Sequence, residues 1–202
     1  MSKVQVDTID TRSGTSTMQI GSTNTSTINI GVSGDTINIP SGVTIANAGT
    51  ATGFGGTNSA NFHVRKSSNQ TGLSSGGWTK VTFDDEVFDS DNAFASDKFT
   101  APSDGKYFFT AAAKINDSSS SPTLVGSGMR FTINGAIAAQ EIHFMANGSN
   151  KAEGKSVTAV LNLTASQYVE VYAYAQDNGG SACSITGGTD RDTFFMGFKL
   201  IT

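Results

Sequence analysis

Phe99-Thr100-Ala101-Pro102-Ser103-Asp104-Gly105-Lys106-Tyr107-Phe108-Phe109-Thr110-Ala111 is the stretch that decides the fold. From Lys106 to Ala111 it reads as a strand buried on both sides or nearly so, because three aromatic residues follow one another without a polar break. Outward from it the same texture continues. Phe62-His63-Val64 opens a run of strands toward the N-terminus, and Trp78-Thr79-Lys80-Val81-Thr82-Phe83 alternates, with Trp78 opposite in phase to Val81 and Phe83. Toward the C-terminus, Met129-Arg130-Phe131-Thr132-Ile133 runs into Asn134-Gly135, the strongest short hairpin signal. Residues 157–163, 168–175 and 194–201 alternate cleanly. No stretch has convincing helical periodicity. Many short strands without intervening helices predict an all-β sandwich, and among sandwiches a jelly roll.

Composition agrees. The chain has 202 residues with 23 Gly and 3 Pro, and only 15% of its residues are charged. Ser, Thr, Asn and Gly take the place of charge, as expected for short strands joined by tight turns. With 13 basic and 17 acidic residues the formal net charge is −4. Such a chain has no polycation to neutralise phosphates, so nucleic acid and anionic membrane are not expected partners. Cys183 is the one cysteine, so no intrachain disulfide and no Cys-based zinc site can form. Residues 1–7 lack an apolar signal-peptide core, and no apolar run approaches membrane-spanning length. We expect synthesis in a reducing cytoplasm and function in the virion.

Residues 1–60 are different, with Phe54 their only aromatic residue. Thr27-Ile28-Asn29-Ile30-Gly31 recurs as Thr36-Ile37-Asn38-Ile39-Pro40, and Thr17-Met18-Gln19-Ile20-Gly21 is a looser copy. Each unit is apolar-polar-apolar, then a Gly or Pro turn. Alternation puts both apolar residues of a unit on one face of a short strand, which stacked repeats or three intertwined chains could bury. Ile20, Ile28, Ile30, Ile37 and Ile39 are thus the expected packing residues of a β-repeat shaft over 13–47. A polar, flexible linker is the competing reading. Val4, Val6 and Ile9 mark a docking arm over 1–12, 48–60 is a Gly-rich linker, and 61–202 is the head.

The head resembles the C1q/TNF-like globular domain. Phe99-x-x-Pro102-x-x-Gly105-x-Tyr107-x-Phe109 is similar to that family's most recognisable pattern. Asn134-Gly135, then Leu161-x-Leu163 with Ser166-Gln167 and Val169, then Phe195-x-Gly197-Phe198, follow in family order. Ser166-Gln167 stands where the family has Gly-Asp, and Ile-rich repeats replace a collagen stalk. The resemblance spans residues 62–201 and implies a jelly roll that packs as a homotrimer, with exposed tip loops for binding. It makes Phe99, Tyr107, Phe109, Phe195 and Phe198 core residues. The Val-Asp-Thr-Ile start followed by Ser/Thr/Gly-rich repeats also resembles fibre and appendage proteins of tailed phages.

Motifs with chemical content are few. Gly72-Leu73-Ser74-Ser75-Gly76 fits the nucleophile-elbow pattern, but the required strand before and helix after are not written around it. His63 and His143 are the only histidines, and each sits among apolar residues, the setting of a structural histidine. Asp84, Asp85, Glu86, Asp89, Asp91 and Asn92 could offer oxygens to Ca²⁺, although the EF-hand spacing is missing and a solvated loop explains them equally. No other cofactor is expected. Asp177, Asn178 and Ser181 belong to a polar loop suited to ligand contact, as does the Ser118–Pro122 run. Tyr172 and Tyr174 share a strand face that stacks on sugars or lines the trimer axis, and we favour the axis.

These readings converge on a non-enzymatic virion protein, a trimeric phage fibre or appendage. Its arm would dock to other virion proteins and its head would bind a host surface glycan or protein. A capsid decoration or cement protein is the second expectation. A polysaccharide-acting enzyme, drawing on acids such as Glu141 and Asp177, is the third.

Overall fold

A computed structural model describes residues 20, 23–24, 26–46, 48, 60–119, 121, 123–146, 150–179 and 182–200. The expected docking arm, most of the Gly-rich linker and Ser181 lie outside the described residues. The chain divides into two units, Met1–Thr52 and Gly53–Thr202.

In the first unit, extended segments are punctuated by turns. Ser33-Gly34 closes one turn, where the Asp35 N–H donates to the Val32 carbonyl (3.0 Å) and the Asp35 carboxylate accepts from the Val32 N–H (2.8 Å). Ser41-Gly42 closes another, with the Val43 N–H donating to the Pro40 carbonyl at 3.3 Å. Gly34 and Gly42 take φ of +97° and +87°, the left-handed backbone that the third residue of a tight turn requires. No strand forms among the described residues of this unit. Ile28, Ile30, Ile37 and Ile39 are 47%, 65%, 60% and 44% exposed, so a single chain leaves these four isoleucines unburied.

The second unit is all β among its described residues, with thirteen strands. They are β1 (Asn61–Arg65), β2 (Gln70–Leu73), β3 (Gly77–Lys80), β4 (Asp85–Asp89), β5 (Phe94–Ala95), β6 (Lys98–Thr100), β7 (Gly105–Asp117), β8 (Leu124–Ile133), β9 (Ala136–Phe144), β10 (Ala152–Leu163), β11 (Tyr168–Asp177), β12 (Cys183–Ile185) and β13 (Phe194–Lys199). Strands β7 to β10 carry the chain from one sheet to the other and back. All pairings are antiparallel.

Strand β7 is the spine of a seven-stranded sheet. Along one edge it pairs with the whole of β10; the other edge is shared end to end by β13 and β12. Strands β1 and β2 pair with β13 and β12 in turn, and β4 closes the edge beyond β1. The six-stranded sheet is centred on β11, with β8 and then β9 on one side and β6 and β3 sharing the other. This strand order is that of a jelly roll. The β8–β9 connection is the Asn134-Gly135 turn, with φ of +50° and +85°, the two positive values a type I′ hairpin demands.

The core lies between the sheets and is aromatic. Phe62 stacks on Phe99 (centroids 4.9 Å apart) and meets Phe195 edge-on (4.8 Å). Phe109 touches Phe99, Phe131 and Phe195. Phe99, Tyr107, Phe109 and Phe195 are fully buried, and the Tyr107 hydroxyl is satisfied by donating to the Ser103 carbonyl at 2.7 Å.

Two expectations need correction. Strand β7 is not buried on both sides: Tyr107, Phe109 and Ala111 point inward, while Phe108 and Thr110 are only half-buried. Phe198 is not in the core but 41% exposed. Strand alternation is the reason. Phe195 and Gly197 face the core, so Met196 and Phe198 must face out. The Phe-x-Gly-Phe pattern hides this because its two phenylalanines are three residues apart.

Candidate assembly and binding surfaces

The outer face of the seven-stranded sheet is built in rows by strand register. Val160, Phe108 and Phe198 lie opposite one another across β10, β7 and β13. The next row is Thr158, Thr110, Met196, His63 and Phe88. Phe108 and Phe198 pack ring on ring at 5.3 Å, and the Thr110 and Thr158 hydroxyls share a hydrogen bond of 2.9 Å. Val160, Phe88 and Phe198 remain 55%, 46% and 41% exposed, an apolar patch on this face. His63 sits edge-on between Phe88 and Phe194. Burial, and then the charge of Arg65 and Arg191, hold its imidazole below the usual histidine range against the opposing pull of Asp85.

The outer face of the six-stranded sheet is organised differently. Register places Trp78 beside Tyr174, and Lys80 beside Tyr172 and then Arg130. The Arg130 guanidinium lies over the Trp78 ring (4.5 Å to the centroid) and the Tyr172 ring (5.0 Å). Trp78 also meets Tyr174 at 5.3 Å, and Phe144 meets Tyr174 edge-on at 5.9 Å. Glu170 takes a 2.8 Å ion pair from Lys80 and accepts from the Tyr172 hydroxyl. Burial and the adjacent Glu170 push the Tyr172 phenol above its ordinary value. Tyr172 and Tyr174 thus share this face, and they stand on the other sheet from the Phe108–Phe198 patch. Arg130 and Trp78 were not singled out from sequence. The phase of Trp78 against Val81 and Phe83 was the available signal, because it places the ring outside the core.

The loop residues divide. Asn178 is exposed. Asp177 is 7% exposed and is a structural strut rather than a presented ligand group. Its carboxylate accepts from the Thr123 hydroxyl, and its backbone N–H donates to the Ser75 hydroxyl oxygen at 2.9 Å. As the inward-facing last residue of β11, it turns these bonds toward neighbouring loops. Asp117 works alongside it, accepting from the Ser119 and Thr123 N–H groups at 2.8 and 2.6 Å. Between such groups the buried Cys183 thiol is pushed up to about 11, by burial first and by Asp177 and Asp117 next.

The residues considered for catalysis are dispersed. Ser74 lies in the β2–β3 turn, with β3 rather than a helix after it. His63 is on β1 of one sheet and His143 on β9 of the other. His143 stands 4.0 Å from Glu153, and Glu141 stands 3.8 Å from Lys155. Three acids of the 84–92 cluster are engaged locally. Asp84 accepts from the Ser67 N–H at 2.5 Å and from the Ser68 hydroxyl, Asp85 pairs with Arg65 at 2.7 Å, and Asp89 accepts from the Ala93 and Phe94 N–H groups. Among the described residues, no three His, Cys, Asp or Glu side chains are grouped to hold a metal ion.

No protein-family model and no curated protein matches the chain. Among solved structures it is similar to the globular domain of zebrafish complement 1qA, at 18% identity over 70% of this chain and 97% of that one, with a TM-score of 0.47. It is also similar to murine APRIL at pH 5.0, at 14% identity over 69% of this chain and 98% of that one, with a TM-score of 0.48. The jelly-roll assignment rests on the strand order of the chain itself.

Proposed function

We propose that this chain is a non-enzymatic structural protein of a virus particle, a homotrimeric phage fibre or appendage whose head binds the host surface. The observation that carries the reading is the apolar surface a single copy leaves uncovered. In the arm this is the isoleucine ladder; in the head it includes Val160, Phe198, Met196 and Phe88 on one sheet, packed about the half-buried Phe108. An extended arm with no strand partner cannot bury a β-branched face, whereas three arms side by side can bury one another's. We assign the head's subunit contact to the seven-stranded sheet, not to Tyr172 and Tyr174. The C1q/TNF-like resemblance supports three copies. The repeats and the Val-Asp-Thr-Ile start support a phage origin. Several heads per particle would multiply weak contacts to a host glycan or protein.

Light scattering on the full chain tests assembly. Three times the chain mass is expected, and Val160→Asp with Phe198→Asp should lower it to that of one chain. A monomeric parent chain would overturn the trimer. Gold-labelled antibody on virions tests location: label on projecting fibres supports an appendage, label over the shell supports a decoration protein, and absence of label on particles removes the virion assignment.

A further inference from the structure

We propose that the outer face of the six-stranded sheet binds a carboxylate-bearing saccharide, with Arg130 taking the carboxylate. The proposal rests on the reading that subunits meet through the other sheet, which leaves this face outward.

The argument starts from the charge. Arg130 forms no ion pair and no side-chain hydrogen bond among the described residues, and its Nε is buried without a partner. Guanidinium donors left unpaired at a low-dielectric surface are costly, so such a group is a strong site for an acceptor. The Trp78 and Tyr172 rings hold the guanidinium carbon at 4.5 and 5.0 Å from their centroids and offer it no hydrogen-bond acceptor. The in-plane N–H fork is what remains for a ligand, and a fork of that shape matches a carboxylate with two parallel hydrogen bonds. Glu170, on the neighbouring strand β11, is engaged by Lys80 at 2.8 Å and makes no ion pair with Arg130.

The surroundings fit a sugar ring. Trp78, Tyr174 and Phe144 pack in series: Trp78 lies under the Arg130 guanidinium, Tyr174 is buried beneath its neighbours, and Phe144, 58% exposed, is the ring presented to a ligand. Aromatic faces of this kind take the C–H face of a pyranose. On β8, Gly126 and Gly128 are buried, with the Phe144 and Ile142 side chains packed over them. A methyl at Gly126 would come within 3.0 Å of the Phe144 ring, and one at Gly128 within 2.6 Å of the Glu141 carbonyl. Gln140, across from Arg130, supplies an amide on the same face suited to hydroxyl groups. Carboxylate, ring face and hydroxyls together specify an acidic saccharide; a neutral one leaves the guanidinium unpaired.

Trp78 is the only tryptophan in the chain, so its fluorescence reports on this site alone. The assembled protein is titrated with a glucuronate-containing tetrasaccharide and with sialyllactose, against lactose and a glutamate-rich peptide. A saturable emission change with one or both acidic sugars, and none with lactose or peptide, is expected. Arg130→Gln should raise the dissociation constant about tenfold or more, and Arg130→Lys should weaken binding by less, because charge survives without the fork. Equal response to lactose or to the peptide, no response to either acidic sugar, or unchanged binding by Arg130→Gln of parent mass would overturn the proposal. Light scattering on the same samples keeps the two readings apart: trimers without sugar binding sink the site alone, and binding by monomers sinks the assembly alone.

Discussion

At the scale of single residues, polar groups at strand ends organise the loops. Lys66 is buried, and its ammonium donates to the Thr82 carbonyl and hydroxyl, both at 2.9 Å. Asp84 binds the neighbouring turn. Partial burial pushes its carboxyl up, but the Ser68 hydroxyl, the Ser67 N–H and the Lys66 charge together outweigh that and hold it below the usual carboxylate range. A carboxyl depressed in the folded state favours folding above its unfolded pKa, about 3.9 for Asp, and loses that contribution as pH falls through the folded value. Thermal melts at stepped pH below about 4 should show the parent destabilised with acid, and Asp84→Asn should give a shallower dependence. Identical slopes would mean that the turn does not depend on this charge. Ser166 shows how a strained turn position is held. It takes φ of +70°, a backbone glycine would adopt more easily, and the Gln167 side chain accepts from the Thr164 N–H to hold the turn.

At the scale of elements, two long rows are each made of two short strands, β1 with β2 and β12 with β13. The joints depend on close approach. Gly187 lies so near the Ser68 backbone that a Cβ there would collide with its carbonyl group. In β13, Gly197 lets the strand close on β7: a Cβ there would meet the Phe109 ring at 2.4 Å and the Phe108 carbonyl at 2.7 Å. Neither neighbour can yield, since Phe109 is fully buried and the carbonyl is backbone. Gly197→Ala should cost about 1–3 kcal/mol or more in urea unfolding, the range for overpacking a filled core. A loss under about 0.5 kcal/mol would show that β13 can move away from β7. The same alternation that aims Gly197 inward aims Phe198 outward.

At the scale of the whole molecule, the two units pose opposite problems. The head encloses an aromatic core and is complete as a sandwich. Among its described residues the arm encloses no apolar core, and under the assembly proposed above partner chains would supply it. Ile28→Asn with Ile37→Asn should therefore lower the melting temperature or the mass of the full-length assembly while leaving head circular dichroism intact. Unchanged mass and melting would remove the shaft from the assembly.

Much of the head could be read from residues in order. Alternation in 157–163 and 168–175, the Asn134-Gly135 hairpin and the Phe99-to-Phe109 pattern are local signals, because side-chain direction in a strand follows position and turn type follows φ preference. The all-β class follows from these, while the core set Phe99, Tyr107, Phe109 and Phe195 is what the C1q/TNF-like resemblance adds, and that set wrongly includes Phe198. Which strands become neighbours is not local. Arg130 meets Trp78 only because β3 and β8 flank β11, and Phe108 meets Phe198 only because β13 returns beside β7. Asp177 reads as a loop acid until burial makes it a strut, and Phe198 reads as core until register turns it outward. Sequence determined which residues seek burial and where the chain turns; tertiary structure decided which faces stay uncovered, because exposure is set by the pairing of strands far apart in the chain.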